Sequence, residues 1–184
     1  MNIRPAGALE GPKIVEPTVR PDERGWFRES FRASELEAAG IPARFVQENE
    51  SSSHRGVVRG LHFQAEPFAQ GKLVRCTNGR VFDVAVDVRP GSATLGKSVQ
   101  VELDPGTGNA LWLPPGFAHG FQALTDAATL AYLVTAEYRP DAERTVRWSD
   151  PDIGIRWPLR PGPIAARDAA APLLRDLYPL GAAR

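Results

Sequence analysis

The sequence predicts an all-β sandwich or barrel, and three observations carry that reading. Seventeen glycines and seventeen prolines are spread along 184 residues, so apolar runs are cut short throughout. The stretch Lys72–Val88 alternates with the period of a β-strand. Helix signals are confined to two brief stretches.

Along the chain, strands are expected at Gly25–Phe31, Ala43–Glu48, Val57–Phe63, Lys72–Thr77, Arg80–Val88, Lys97–Leu103, Ala110–Leu113, Gly120–Leu124 and Leu130–Thr135. A helix is expected at Ser34–Ala39, where Ser34 and Glu37 have capping-box spacing and Gly40 stands as a C-terminal stop. A second short helix is expected around Ala169–Tyr178, despite Pro172. The strongest local signal is Asn78–Gly79 between two strand-like runs. It predicts a type I′ hairpin, pairing Thr77 with Arg80 and Val74 with Asp83.

Alternation puts Phe82, Val84, Val86 and Val88 on one face, and Val81, Asp83, Ala85 and Asp87 on the other. Lys72 then shares a face with Asp83, which is either a polar pocket inside the barrel or a solvated outer surface. Gln47, Asn49, Arg59, His62, His119 and Tyr132 also interrupt or border apolar runs. Buried polar groups are costly unless paired, so a cluster of these would mark a lined cavity. Simple alternation points Arg59 and His62 to opposite faces unless Gly60 sits at a bulge.

Length and composition fit one soluble domain over residues 1–184. Lysine plus arginine equal aspartate plus glutamate at 22 each, which argues against a nucleic-acid or membrane surface but leaves room for a local basic pocket. Met1–Lys13 lacks the apolar core of a leader, and no run of about 18 apolar residues occurs, so a cytoplasmic protein is expected. Cys76 is the only cysteine, which rules out an internal disulfide and a cysteine-based zinc site.

From Arg59–Gly60–Leu61–His62–Phe63–Gln64 onward, the sequence resembles the dTDP-4-dehydrorhamnose 3,5-epimerase family. The likeness includes Asp22–Glu23–Arg24–Gly25 with Glu29, then Gln47–Glu48–Asn49–Glu50–Ser51, Lys72–Leu73–Val74 and Asp83–Val84–Ala85–Val86–Asp87. It continues through Pro115–Gly116–Phe117–Ala118–His119–Gly120–Phe121, Tyr132, Tyr138, Trp148–Ser149–Asp150–Pro151, Trp157–Pro158 and Arg167–Asp168. Together these cover roughly Ile14 to Leu174. The family often carries a serine and a lysine where this chain has Ala165 and Arg167, and a lysine where it has Leu133.

The resemblance implies a cupin-like, jelly-roll β-sandwich with a few short helices, usually a homodimer, working without metal or redox cofactor. The implied substrate is dTDP-4-dehydro-6-deoxy-D-glucose, epimerised at C3 and C5. Both carbons lie α to the C4 ketone, so the chemistry needs a base, an oxyanion stabiliser and an acid on the opposite face. His62 suits the base, since imidazole titrates near ~6.5. The resemblance gives its supporting carboxylate to Asp168, for which a helix N-cap is the competing role. Asp83 is a second carboxylate that could pair with His119 instead. Lys72 is the expected oxyanion stabiliser and Tyr132 the expected acid. Arg24, Arg59, His119 and Arg167 are candidates for the diphosphate and neighbouring sugar, and Tyr138 for stacking on the base. Glu29, Gln47, Asn49 and Glu143 match further substrate-contacting positions.

Three rivals remain in view. A metal-dependent cupin normally needs a close histidine pair with a carboxylate and a third histidine, whereas His54, His62 and His119 have no such spacing. A non-catalytic sugar- or nucleotide-binding module would not need base, acid and oxyanion group together. A relative acting at C3 only or C5 only would use the same groups.

Overall fold

The computed structural model describes residues 1–178. Its strands in chain order are β1 (Asn2–Pro5), β2 (Lys13–Glu16), β3 (Val19–Asp22), β4 (Gly25–Arg28), β5 (Gln47–Ser53), β6 (Val58–Gln64) and β7 (Lys72–Asn78). They continue with β8 (Val81–Asp87), β9 (Ser98–Leu103), β10 (Ala110–Leu113), β11 (Phe117–Ala123), β12 (Ala128–Val134) and β13 (Glu143–Thr145). Among the described residues there are also three short helices, α1 (Ala33–Ala38), α2 (Ala166–Ala169) and α3 (Leu174–Leu177), and a 3-10 turn at Pro140–Ala142.

The strands form a six-stranded sheet, β1-β2-β10-β7-β12-β5, and a five-stranded sheet, β13-β6-β11-β8-β9. A separate hairpin pairs β3 with β4. The two large sheets face each other across a core that includes Val74, Leu111, Leu113 and Leu130 from one and Val81, Ala85, Leu103, Phe117 and Phe121 from the other. Each sheet is covered outside as well. Leu36 and Ile41 pack with Leu73 and Trp112 on the six-stranded sheet, while Val84, Val86 and Val88 meet Val146, Leu174 and Trp157 on the five-stranded one. This is the all-β, cupin-like architecture the sequence predicts.

The alternation of β8 holds, with Val81, Asp83 and Ala85 turned inward. Its expected hairpin with β7 does not form. β7 is flanked by β10 and β12, and β8 by β11 and β9, so both edges of each strand are already taken. A type I′ turn needs positive φ at two central residues, and of Asn78 and Gly79 only Gly79, at φ 69°, has it. The dipeptide carries the chain from one sheet to the other.

Other expectations shift for local reasons. α1 begins one residue early, with Arg32 at its N-cap and no side-chain cap, so Ser34 lies inside the first turn and forms no capping box. Gly40, at φ 73°, does end the helix, and Ile41 N–H returns to Leu36 O at 2.9 Å. The strand expected at Ala43–Glu48 begins only at Gln47 and runs through a polar stretch to Ser53. The expected C-terminal helix is split into α2 and α3 on either side of Pro172.

The register of β6 against β11 explains how Arg59 and His62 reach one space. His119 faces His62, but Phe121 faces Arg59, so β6 spends three steps where β11 spends two. The extra residue is a bulge, which resets the alternation. Gly60 sits there at φ 122°, and a Cβ on it would lie 2.6 Å from Gly120 Cα and 2.8 Å from His119 O. Neither backbone atom can swing aside as a side-chain end could. Gly60→Ala is therefore expected to lower stability by about 1–3 kcal/mol, through strain at a left-handed φ and displacement of β11. Urea unfolding measures it; an unchanged midpoint would mean that the bulge relaxes without β11.

Candidate active site

A cavity of about 630 Å³ opens between the two sheets, within the size range of a small-molecule site. Its lining mixes polar and apolar groups because several inward-facing rows are interrupted by functional side chains. β5 supplies Gln47, Asn49 and Ser51, the alternate positions of a strand whose other residues, Glu48, Glu50 and Ser52, face outward. β6 supplies Arg59, His62 and Gln64; β7 supplies Lys72, β11 His119 and β12 Tyr132.

His62 is bonded through Nε2 to Asp168 Oδ1 at 2.7 Å. Asp168 is 2% exposed and belongs to α2, whose N-cap is Ala165, so it is not a cap. Its Oδ2 accepts the Gly60 N–H at 3.2 Å, which ties the β6 bulge to the same carboxylate. Burial by itself would raise the Asp168 pKa. The His62 bond and charge, the Gly60 N–H and the Arg167 cation outweigh burial and hold it below the usual carboxylate range. An ionised carboxylate on one ring nitrogen fixes the imidazole and supports its protonated form.

Beside this pair lies a second one. His119 faces His62 across the β6–β11 ladder and bonds through Nε2 to Asp83 Oδ2 at 2.9 Å. Asp83 is fully buried, and its Oδ1 has no hydrogen-bond partner among the described residues. Lys72 and Asp83 thus share the interior space rather than a solvated face. Lys72 is 7% exposed and donates from Nζ to His62 O at 3.2 Å. Burial lowers its pKa to about 8, against the opposing pull of the Asp83 and Glu143 charges.

Tyr132 enters from the six-stranded sheet and His62 from the five-stranded one, so phenol and imidazole come from opposite walls. Burial pushes the Tyr132 pKa up; the Arg59 cation pulls the other way and the Glu143 charge adds to the rise. At neutral pH it stays a protonated donor. Around the mouth, Tyr138 Oη donates to Glu143 Oε2 at 2.9 Å, and Arg167 Nη1 donates to the same oxygen at 3.1 Å. Arg59 is fixed by Ser53 Oγ at 3.0 Å and Ser52 O at 3.1 Å, and Gln47 Nε2 donates to Asn49 Oδ1 at 2.8 Å.

The structure therefore gathers Gln47, Asn49, Arg59, His62, Lys72, His119, Tyr132, Tyr138, Glu143, Arg167 and Asp168 at one cavity. It leaves Arg24 and Glu29 away from it. Arg24 is paired with Asp22 at 2.6 Å on the β3–β4 hairpin, and Glu29 with Arg32 at 2.7 Å just beyond. Two contributors are not among the residues the sequence singles out for a role. Ser53 anchors Arg59, and Gln64 lines the cavity with an amide in an otherwise apolar strand end, which was the available signal.

A base–carboxylate pair, an opposed phenol and a buried ammonium can remove a proton next to a carbonyl, stabilise the oxyanion and return a proton elsewhere. Similarity to known proteins points the same way. The family model described as dTDP-4-dehydrorhamnose 3,5-epimerase matches residues 6–176. The dTDP-4-dehydrorhamnose 3,5-epimerase of Sinorhizobium fredii is 48% identical over 167 residues, covering 90% of this chain and 86% of that protein. The crystal structure of the Legionella pneumophila dTDP-6-deoxy-D-glucose-3,5-epimerase in complex with dTDP-4-keto-L-rhamnose superposes with a TM-score of 0.90 at 46% identity, covering 96% of this chain and 94% of that one. A 3′-monoepimerase from Streptomyces bikiniensis, solved with dTDP-quinovose, superposes with a TM-score of 0.86 at 39% identity, covering 92% and 88%.

Lys72 offers a direct check on this electrostatic picture, because the chain has only three lysines, Lys13, Lys72 and Lys97. Carbon-13 NMR of the lysine Cε groups should show one resonance titrating at about 8, absent in Lys72→Met. Between pH 8 and 10.5 the unfolded chain holds more protons at Lys72 than the folded one, so stability rises with pH in that window. Lys72→Met is accordingly expected to exceed the parent in stability most below pH 8, with the gap narrowing above it. Titration of all three lysines near 10.5 would refute this account.

Proposed function

The chain belongs to the dTDP-4-dehydrorhamnose 3,5-epimerase family, and on that premise we propose that it inverts C3 and C5 of dTDP-4-dehydro-6-deoxy-D-glucose to give dTDP-4-dehydro-L-rhamnose. One observation carries the reading: His62 with Asp168 faces Tyr132 from the opposite sheet, with the buried Lys72 beside them. His62 takes the proton from a carbon next to the C4 ketone. The C–H electron pair moves toward O4, where the Lys72 ammonium stabilises it. Tyr132 then gives its proton to the other face of the carbon and regains one from solvent, while the His62 imidazolium releases its proton. A second round serves the other carbon. Each step is a proton transfer, so the reading calls for no metal and no redox cofactor.

Arg59, His119 and Arg167 are assigned to the diphosphate and adjoining sugar, Tyr138 to the base, and Gln47, Asn49 and Glu143 to further polar contacts. Arg24 and Glu29 enter from a second copy in a homodimer. Support for this comes from the β3–β4 hairpin, where Trp26 is 58% and Phe27 67% exposed beside the two residues that match substrate-contacting positions yet stand outside this chain's cavity. We take the chain to act as one domain, since both sheets supply the site, and to work in the cytoplasm on a soluble nucleotide-linked sugar.

The deciding experiment is proton NMR of the substrate with the protein in D₂O. Deuterium entering both C3 and C5 is expected. Entry at one carbon only would make the chain a monoepimerase, as the Streptomyces bikiniensis relative is described, and no exchange would overturn the reading.

His62→Asn is expected to abolish wash-in at both carbons without unfolding the protein. Mixing it with an Arg24→Ala, Glu29→Ala variant should restore activity, because one heterodimer site then holds both His62 and an intact hairpin. Persistent exchange at one carbon in His62→Asn would reveal a second base, and failure of the mixture to regain activity would count against the shared site.

Tyr132→Phe keeps the ring but deletes the donor. Inversion should slow by about 10²–10⁴-fold, while exchange of the substrate's own α-protons suffers less. The ratio of wash-in to new stereoisomer measures this in one tube. Inversion at the parent rate would place the acid elsewhere.

A further inference from the structure

Residues 137–139 lie beyond the end of β12 at Val134, outside any strand, yet their backbone is held closely. Glu137 O accepts from Gln64 Nε2 at 3.3 Å. Tyr138 N–H donates to Gln47 Oε1 at 2.9 Å, and Arg139 N–H donates to Gln64 Oε1 at 2.6 Å. Two successive peptide groups, 137–138 and 138–139, are thus held at three polar atoms by two side-chain amides, one from the first residue of β5 and one from the last of β6. Those strands belong to opposite sheets. Tyr138 stands between them at the cavity mouth.

Gln64 is 4% exposed, and its hydrogen-bonding capacity is largely spent. Its amide nitrogen also donates to Phe68 O at 2.7 Å, so both N–H groups are used on backbone carbonyls and Oε1 is used on Arg139. No donor is left for a ligand. The chemistry of the grip is also specific. It needs a donor and an acceptor on one neutral group at this reach, which a carboxylate or an aliphatic side chain does not provide. The β6–β13 ladder adds a second hold, because Glu143 lies directly across from Gln64 and its carboxylate accepts from Tyr138 Oη. One cross-strand pair therefore holds the backbone on either side of Tyr138, through Gln64, and its ring tip, through Glu143.

We propose that Gln64 is a positioning residue that sets Tyr138 over the cavity mouth and, through that ring, the affinity for the nucleotide end of the substrate. The proposal rests on the reading above in which Tyr138 stacks on the base. Gln64 touches neither the reacting carbons nor the groups that move protons, so its effect falls on binding rather than on chemistry.

The test is a double-mutant cycle of Gln64→Met with Tyr138→Ala, reading dTDP affinity by calorimetry and KM and kcat on the full substrate. Gln64→Met should weaken dTDP about tenfold and raise KM similarly, with kcat within about twofold of the parent. In the Tyr138→Ala background the same substitution should change dTDP affinity by less than about twofold, because the ring it positions is gone. Equal weakening in both backgrounds, or a fall in kcat at unchanged KM, would overturn the role of Gln64 and leave base stacking standing. Unchanged dTDP affinity in Tyr138→Ala alone would overturn the stacking reading and this proposal with it. Should Gln64→Met fail to fold, Gln64→Glu carries the same cycle, since it keeps the acceptor for Arg139 N–H and loses both donors.

Discussion

Charge buried between two β-sheets has to be compensated on the spot, and the interior of this protein is arranged around that constraint. Removing an ion from water costs several kcal/mol even after relaxation, roughly enough to cancel much of a small domain's net stability. Asp168 meets the cost with an imidazole, a peptide N–H and a nearby guanidinium. Asp83 meets it only in part, through His119 on one oxygen. Lys72 has the least direct compensation, a single backbone carbonyl together with the fields of Asp83 and Glu143, and its lowered pKa follows. The gradient from well-paired to poorly paired matches the roles assigned. A supporting carboxylate should stay fixed and charged, while a group that stabilises transient negative charge gains strength from being undersolvated.

The position of Asp168 depends on a segment of chain with little regular structure. α2 has only four residues, and the chain around it is stapled to the turn after β13. Arg147 N–H donates to Pro172 O at 2.8 Å and Arg147 Nε to Ala171 O at 2.9 Å. Asp150, buried, accepts Leu174 N–H at 2.7 Å and Asp152 N–H at 2.9 Å. The Trp148–Asp150 stretch, which the sequence reading could quote only as part of a resemblance, thus has a physical task. It anchors the strap that brings a carboxylate to β6, with Trp148 and Trp157 packed nearby, their ring centroids 6.4 Å apart.

What was legible beforehand follows from where information is local. Alternation in β8 assigned its two faces correctly because period-two patterning is a property of the strand itself. The partner of that strand was not legible, because Asn78–Gly79 looks the same whether the chain folds back on itself or crosses to the other sheet; the neighbours β10, β11 and β12 decide it. β5 escaped because Gln47–Ser53 contains no apolar residue, and it is a strand only because β12 pairs with it and a polar cavity takes its inward side chains. Polar residues set in apolar runs mark Gln47, Asn49, Arg59, His62, His119 and Tyr132 as cavity candidates, and motif resemblance supplies their roles, but neither carries geometry. The bulge that turns Arg59 and His62 the same way, and the backbone grip of Gln64, emerged only with the register of the sheets.

The His62–Asp168 bond joins residues 106 positions apart, closing a loop of more than half the chain. Loop closure costs entropy that grows with the logarithm of length, so such a contact leans on the bonds that hold its far end in place. Here those include the bonds that strap residues 171–174 to Arg147 and Asp150, and those that tie Leu159 to Gln122 and Gly162 to Gly56 before α2. Detaching that strap breaks fewer backbone hydrogen bonds than opening either sheet, which makes it a candidate for sub-global opening with the barrel intact. A molecule in that state would keep its strands and would lose Arg167 from its cavity together with the carboxylate behind its imidazole. On the role proposed for Asp168, folded and competent are separate conditions for this protein, linked by one short stretch of chain.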